Sequence, residues 1–219
     1  LFIQDWMMSV GEDLTHLVAL APEPPAQGGI VAQVVGTGPT VRPSAMPEVF
    51  EVLIHAARRQ LTVTTPYYVP SEAMHSALCA AGHRGVETRL VVPARNDSWI
   101  VAAASRSYYS DLIDAGVKIY EYEGGLLHAK TLTLDDDVTL LGSANLDRRS
   151  FDLNYESNIL LQDAALTATI LERQRSYIAG SRAIDAAEIE AWSVWRQIWN
   201  NSIAMLGPLD NPEAAAEMA

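Results

Sequence analysis

The side chains best suited to chemistry fall in one passage. It reads His128-Ala129-Lys130, then four residues to Asp135, then six to Gly142-Ser143-Ala144-Asn145. It continues through Leu146-Asp147-Arg148-Arg149-Ser150-Phe151 to Asn154-Tyr155-Glu156. β-Branched and aliphatic residues at 126–134 and 138–141 predict a hairpin around Asp135-Asp136-Asp137, which is turn material. On such a strand His128 and Lys130 leave the same face as Leu132 and Leu134, and so are expected on its buried side near one end. A buried ammonium needs an answering anion, and a ligand phosphate is the simplest one. Ser143 and Asn145 repeat the two-residue step after the return strand and can add a hydroxyl and an amide to the same spot. A fixed set of donors plus one imidazole describes a phosphoryl-transfer site that calls for no metal and no cofactor.

The elements that must hold these residues alternate. A short strand at 30–35 turns at Gly36-Thr37-Gly38-Pro39, and Val49, Phe50, Leu53, Ile54 and Ala57 mark one face of a helix over 47–60. A strand over 60–69 ends in Thr65-Pro66-Tyr67-Tyr68, and Ser71 is placed to cap the helix that follows. A strand at 88–92, a helix at 98–115 closed by Gly116 and a strand at 118–122 lead into the hairpin. Beyond it come a strand at 157–161 and helices over 164–178 and 187–206. This order predicts an α/β layered domain, a mixed β-sheet flanked by helices. Tyr67 and Tyr68 are candidates both for a pocket wall and for core packing. Trp192, Trp195 and Trp199 at helical spacing are expected to pack on the domain.

Composition narrows the function classes. The 219 residues are 49% hydrophobic and 19% charged, enough apolar material for a core, and they carry a formal net charge of −12. That acidity opposes nucleic acid as a partner. No apolar run approaches the roughly 20 residues of a membrane span. The single Cys79 can form no internal disulfide. Asp135-Asp136-Asp137 lacks the spacing of a calcium loop, so metal ligands are assigned to no residue. Residues 1–29, which include the break Pro22-Glu23-Pro24-Pro25, are expected to be the tail of a preceding domain and a linker. The domain proper is expected over 30–209, followed by a frayed tail at 210–219.

The motif resembles the HxK(x4)D(x6)GSxN signature of the phospholipase D superfamily. With residue frequencies near one in twenty, six matched positions arise by chance about once in a million chains of this length. Further stretches, Thr64–Pro70, Ala115–Tyr122, Gly142–Phe151 and Phe2–Trp6, resemble the second half of bacterial cardiolipin synthases. The resemblance implies a phospholipase D-like catalytic domain that forms cardiolipin from two phosphatidylglycerol molecules through a phosphohistidine, releasing glycerol. It implies His128 as nucleophile or general acid/base, with acid/base favoured for a second copy. Lys130, Ser143 and Asn145 would bind the phosphate, and Glu156 would accept a proton from the histidine's other nitrogen. Asp135 and Gly142 would support the loop.

The family uses two such motifs, and this sequence has one. His16, His55, His75 and His83 all lack a lysine two positions on. The implied partners are therefore phospholipid, a missing N-terminal motif domain or a second copy of the chain, and a membrane surface reached through the parent protein. The implied location is the cytoplasmic face of the bacterial inner membrane. Competing expectations are a phospholipase D-type hydrolase or another phosphatidyltransferase, a homodimeric nuclease with one motif per chain, and a catalytically silent assembly domain.

Overall fold

A computed structural model describes residues 2–18, 28–38, 45–96, 98–192, 199 and 202. The chain divides into two compact units, 1–31 and 32–219. The first holds two short helices, α1 (Phe2–Val10) and α2 (Thr15–Val18). The expected tail at 210–219 and most of the helix expected over 187–206 lie outside the described residues.

Strand β1 (Val31–Thr37) is followed by α3 (Ala45–Ala56), β2 (Gln60–Thr64), β3 (Tyr68–Val69), α4 (Glu72–His83) and β4 (Glu87–Pro93). Next come α5 (Trp99–Ser107), α6 (Tyr109–Asp114) and β5 (Lys118–Tyr122). The hairpin is β6 (Thr131–Leu134) and β7 (Val138–Gly142), and it leads to β8 (Leu146–Asp147), α7 (Arg148–Asp152) and β9 (Glu156–Gln162). Helix α8 (Ala164–Ala179), β10 (Ser181–Ile184) and α9 (Ala186–Glu190) complete the described elements. Eight strands form one sheet in the order β1-β9-β7-β6-β2-β4-β5-β10, while β3 and β8 pair separately. The β2–β4 and β4–β5 pairs are parallel, and the flanking β2–β6, β6–β7, β7–β9 and β5–β10 pairs are antiparallel. The mixed sheet with helices is thus the expected fold class.

Alternation along the central strands assigns the layers. Leu61, Val63, Leu90, Val92, Leu132, Leu134 and Leu140 are buried in the main core with Phe50, Ile54, Leu78 and Leu112 of the helices. Threonines alternate with these apolar positions. Thr62, Thr64 and Thr133 are buried, and Gln174 of α8 bonds the Thr62 carbonyl and the hydroxyls of Thr64, Thr131 and Thr133. Thr167 of α8 meets Thr139 at 2.9 Å. This helix is therefore seated by a paired polar layer, which among the described residues leaves no buried donor at its contact unanswered. Asp163 caps it by accepting from the Leu166 amide at 2.7 Å, and Ser71 caps α4 in the same way.

Several boundaries depart from expectation. The strand expected over 60–69 is interrupted at Thr65-Pro66-Tyr67, because the Thr65 hydroxyl turns back to the Tyr67 carbonyl and Pro66 offers no ladder donor. The helix expected over 98–115 is divided at Tyr108. The first hairpin strand begins at Thr131 rather than 126. The return strand carries β6 on one edge and β9 on the other. On the β6 side its last bond is the Gly142 amide donating to the Lys130 carbonyl at 3.2 Å, and beyond it the Ser143 amide donates to the Ser157 carbonyl at 3.1 Å, so residues 126–129 lie outside the ladder. Trp192 is buried and meets the Tyr109 ring, Trp199 stacks on Trp99, and Trp195 lies outside the described residues.

Candidate active site

The site grows from the segment that leaves the sheet ahead of β6. His128, expected on a buried face, is exposed, while Lys130 is half-buried. The reason is the early loss of the ladder: the backbone through His128 is irregular and the period-2 rule does not reach it. Lys130 does share the core-facing side with Leu132. It lines a small cavity with Phe50, Leu132, Leu140, Ala144, Leu146 and Asn158. Its ammonium donates to the His128 carbonyl at 2.9 Å, which ties the two residues into one short loop. The His128 imidazole meets the Tyr67 ring edge to face, with centroids 6.4 Å apart. Tyr67 is half-buried beside the site, whereas Tyr68 is fully buried in the core, so the two neighbours divide the roles expected of both.

Asp135 stands at the far end of the hairpin. With Asp136 it adopts positive φ, 49° and 72°, as a tight hairpin turn requires. Its carboxylate accepts from the backbone amides of Arg58 and Arg59 at 2.8 Å and Gln60 at 3.1 Å. Burial alone would push this carboxyl up, but the amides of Arg59, Gln60 and Arg58 outweigh it and hold the group below its usual range. The motif aspartate thus binds the turn to the start of β2.

Beyond β7 the chain needs Gly142. A Cβ there would overlap Asn158 Oδ1 and lie 2.5 Å from the Ser157 carbonyl oxygen. Ser143 and Asn145 sit in different surroundings. Ser143 is exposed and its hydroxyl exchanges bonds with the Ser157 backbone, accepting from the amide at 2.9 Å. Asn145 is 8% exposed and donates from Nδ2 to Ser150 Oγ at 2.8 Å, while its Oδ1 is buried with no partner among the described residues.

Two residues outside the expected set complete this corner. Asp147 accepts from the Ser150 amide at 2.7 Å and from the Ser150 hydroxyl at 3.1 Å. Burial pushes the Asp147 carboxyl above its usual range, with the nearby Glu156 adding to the rise, while the bonds from Ser150 and Asn145 oppose it. The Asp147-x-x-Ser150 spacing ahead of α7 is the available sequence signal, since an aspartate three residues before a helical amide reads as an N-cap. Glu156 is buried at the start of β9 and accepts from Asn154 Nδ2 at 3.2 Å. No hydrogen bond joins it to His128 among the described residues. Nor, among those residues, is any group of three or more His, Cys, Asp or Glu placed to hold a metal ion, and no described helix is long and apolar enough to cross a membrane.

The chain is similar to known proteins in sequence and in fold. Residues 51–176 match the family described as cardiolipin synthase, PLD-like domain. Cardiolipin synthase A of Yersinia pseudotuberculosis serotype O:1b (strain IP 31758) is 35% identical over 212 residues, which covers 94% of this chain and 43% of that relative. The chain therefore spans less than half the length of the curated relatives it matches. Among solved structures, the phospholipase D family member Nuc from Salmonella typhimurium aligns with a TM-score of 0.62 at 18% identity, covering 72% of this chain and all of Nuc. Phosphatidylserine synthase from Haemophilus influenzae Rd KW20 aligns with a TM-score of 0.60 at 18% identity, over 82% of this chain and 47% of that one. The two structures share the fold, and the matched family covers more than half of the chain, which accordingly belongs to the PLD-like domain family of cardiolipin synthase.

Proposed function

We propose that this domain is the second catalytic half of a phosphatidyltransferase that makes cardiolipin from two phosphatidylglycerol molecules and releases glycerol. The observation that carries the reading is the 35% identity to cardiolipin synthase A across 94% of the chain. A complementary motif, in a preceding domain or a second copy, supplies the nucleophilic histidine. That imidazole attacks phosphorus, the bond from phosphorus to the headgroup glycerol breaks, and the departing oxygen takes a proton from His128. A terminal hydroxyl of the second phosphatidylglycerol then gives its proton to His128 as its oxygen attacks the phosphohistidine, and the phosphorus–nitrogen bond breaks. Lys130 and Asn145, with Ser143, bind the non-bridging oxygens, where fixed donors act most strongly on developing charge. Glu156 supplies a carboxylate to a catalytic imidazole, which stabilises its charged form. Asp135 and Gly142 hold the loops in place, and the parent protein works at the cytoplasmic face of the bacterial inner membrane.

The test is His128→Ala in the full-length parent protein, with labelled phosphatidylglycerol followed by thin-layer chromatography. Cardiolipin formation is expected to vanish while the melting temperature stays unchanged, because His128 is exposed. Undiminished cardiolipin would overturn the assignment. Conversion of the label to phosphatidic acid alone by the wild-type protein would instead identify a hydrolase.

A further inference from the structure

We infer that Asp147 is a positioning residue that, with Ser150, holds the donor end of the Asn145 side-chain amide in place, one Nδ2 proton on Ser150 Oγ and the other directed to a phosphate oxygen. The inference rests on the reading of Asn145 as a phosphate ligand.

Three side chains carry it, each at least nine-tenths buried: Asn145 and Asp147 at 8% exposed and Ser150 at 1%. Their backbone is pinned from outside the motif. The Leu146 amide donates to the Thr65 hydroxyl at 3.3 Å, and Leu146 and Asp147 pair in parallel with Tyr68 and Val69. Both carboxylate oxygens of Asp147 accept from Ser150, one from its amide at 2.7 Å and one from its hydroxyl at 3.1 Å, and the Asn145 side chain also interacts with this carboxylate. A serine hydroxyl has a single proton. With that proton committed to Asp147, Ser150 Oγ can only accept, and the group facing it at 2.8 Å must be the donor end of Asn145. The bonds therefore run in one direction, from Asn145 to Ser150 to Asp147. Oδ1 is then left buried with no partner among the described residues.

That orphan acceptor shows why direction matters. An uncommitted Ser150 proton would go to Oδ1, since an unsatisfied buried acceptor is costly. The amide would turn over and set its oxygen, which cannot donate to a phosphate, where Nδ2 had stood. Asp147→Asn keeps the shape but brings a donor against Ser150 Oγ, which releases the serine proton and reverses the chain of bonds. Ser150→Ala cuts the chain while leaving the carboxylate in place.

The experiment is a double-mutant cycle in the full-length protein together with the half that completes it. It is read both on cardiolipin formation and on hydrolysis of the small diester bis(p-nitrophenyl) phosphate. D147N and S150A are each expected to lower kcat/KM about tenfold beside an intact Asn145, and less than about twofold in an N145A background. Equal losses in both backgrounds would overturn the inference, because a merely structural role does not depend on Asn145. S150A carries the cycle on its own if D147N fails to fold. Diester cleavage without cardiolipin would sink the phosphatidyl-transfer reading while the coupling still decides the role of Asp147. A wild-type protein that cleaves neither substrate would overturn both.

Discussion

Lys130 reaches back to the His128 carbonyl, so the motif cation is held to the loop that carries His128 by the chain's own backbone. Its neighbours in the cavity are mostly apolar, an environment in which an ammonium acts more strongly on a phosphate than it would in open water. Lys130→Ala in the full-length protein is expected to lower kcat at least about 100-fold, within the usual range for losing a preorganised charge donor. Arg at this position should restore little, because a planar fork does not fit where a point charge sat. Steady-state kinetics on the two variants checks both statements. Gly142 fails for a different reason. Gly142→Ala forces a methyl into the backbone of β9 and should destabilise the domain by about 2 kcal/mol, measurable by urea unfolding. A wild-type midpoint would show that β9 can move aside.

Among the elements, the hairpin and α8 do most to fix the site. The Asp135 carboxylate joins the β6–β7 turn to three consecutive amides at the start of β2, and Gln174 joins α8 to β2 and β6. Gln174→Leu strands several threonine hydroxyls and should cost about 3 kcal/mol. Gln174→Glu at low pH, where the protonated side chain can donate again, should recover part of that loss in the same unfolding assay. The sequence made much of this level legible. The strand at 118–122 is where its alternation put it, and the caps at Ser71 and the helix after Asp163 follow from local chemistry. Non-local pairing was not legible. β3 and β8 are two residues each and meet across about eighty residues of chain, too short to show any period. β10 offers one buried apolar residue, Ile184, and is held instead through Arg182, which bonds the buried Glu121 at 2.7 Å. At the site, the motif residues stood out by spacing. The exposure of His128 did not, because it depends on where the β6–β7 ladder ends, at the bond from the Gly142 amide to the Lys130 carbonyl, and the Asp147–Ser150 corner carries no apolar pattern at all.

At the scale of the molecule, acid and base act through different carboxyls. The Asp135 group titrates below its unfolded value of about 3.9, so its contribution is present above that value and is lost as pH falls through the folded one. Asp147 is raised, so its contribution is fullest below the unfolded value and is lost as pH rises through the folded one. The deficit of D135N relative to wild type should therefore shrink as pH drops below about 4. D147N should compare more favourably with wild type as pH climbs from about 4 towards 7. Denaturant melts across this range test both slopes, and parallel curves would contradict them. One motif per chain has its own consequence: this domain by itself should turn over no phosphatidylglycerol, and robust turnover by monomer would refute the two-half scheme.

The seam where the parallel strands meet the antiparallel ones has a further consequence. β2 and β6 lie inside the sheet, covered on both faces, while β1 and β10 are its outer members among the described residues. Amides of β2 and β6 should thus be the last to exchange with deuterated solvent, opening only with the whole domain, while those of β1 exchange through fraying. The loop bearing His128 and Lys130 is rooted directly in that slowest strand. Its anchor then keeps its position through every partial opening of the sheet, and the motif loses its foothold only when the entire domain does.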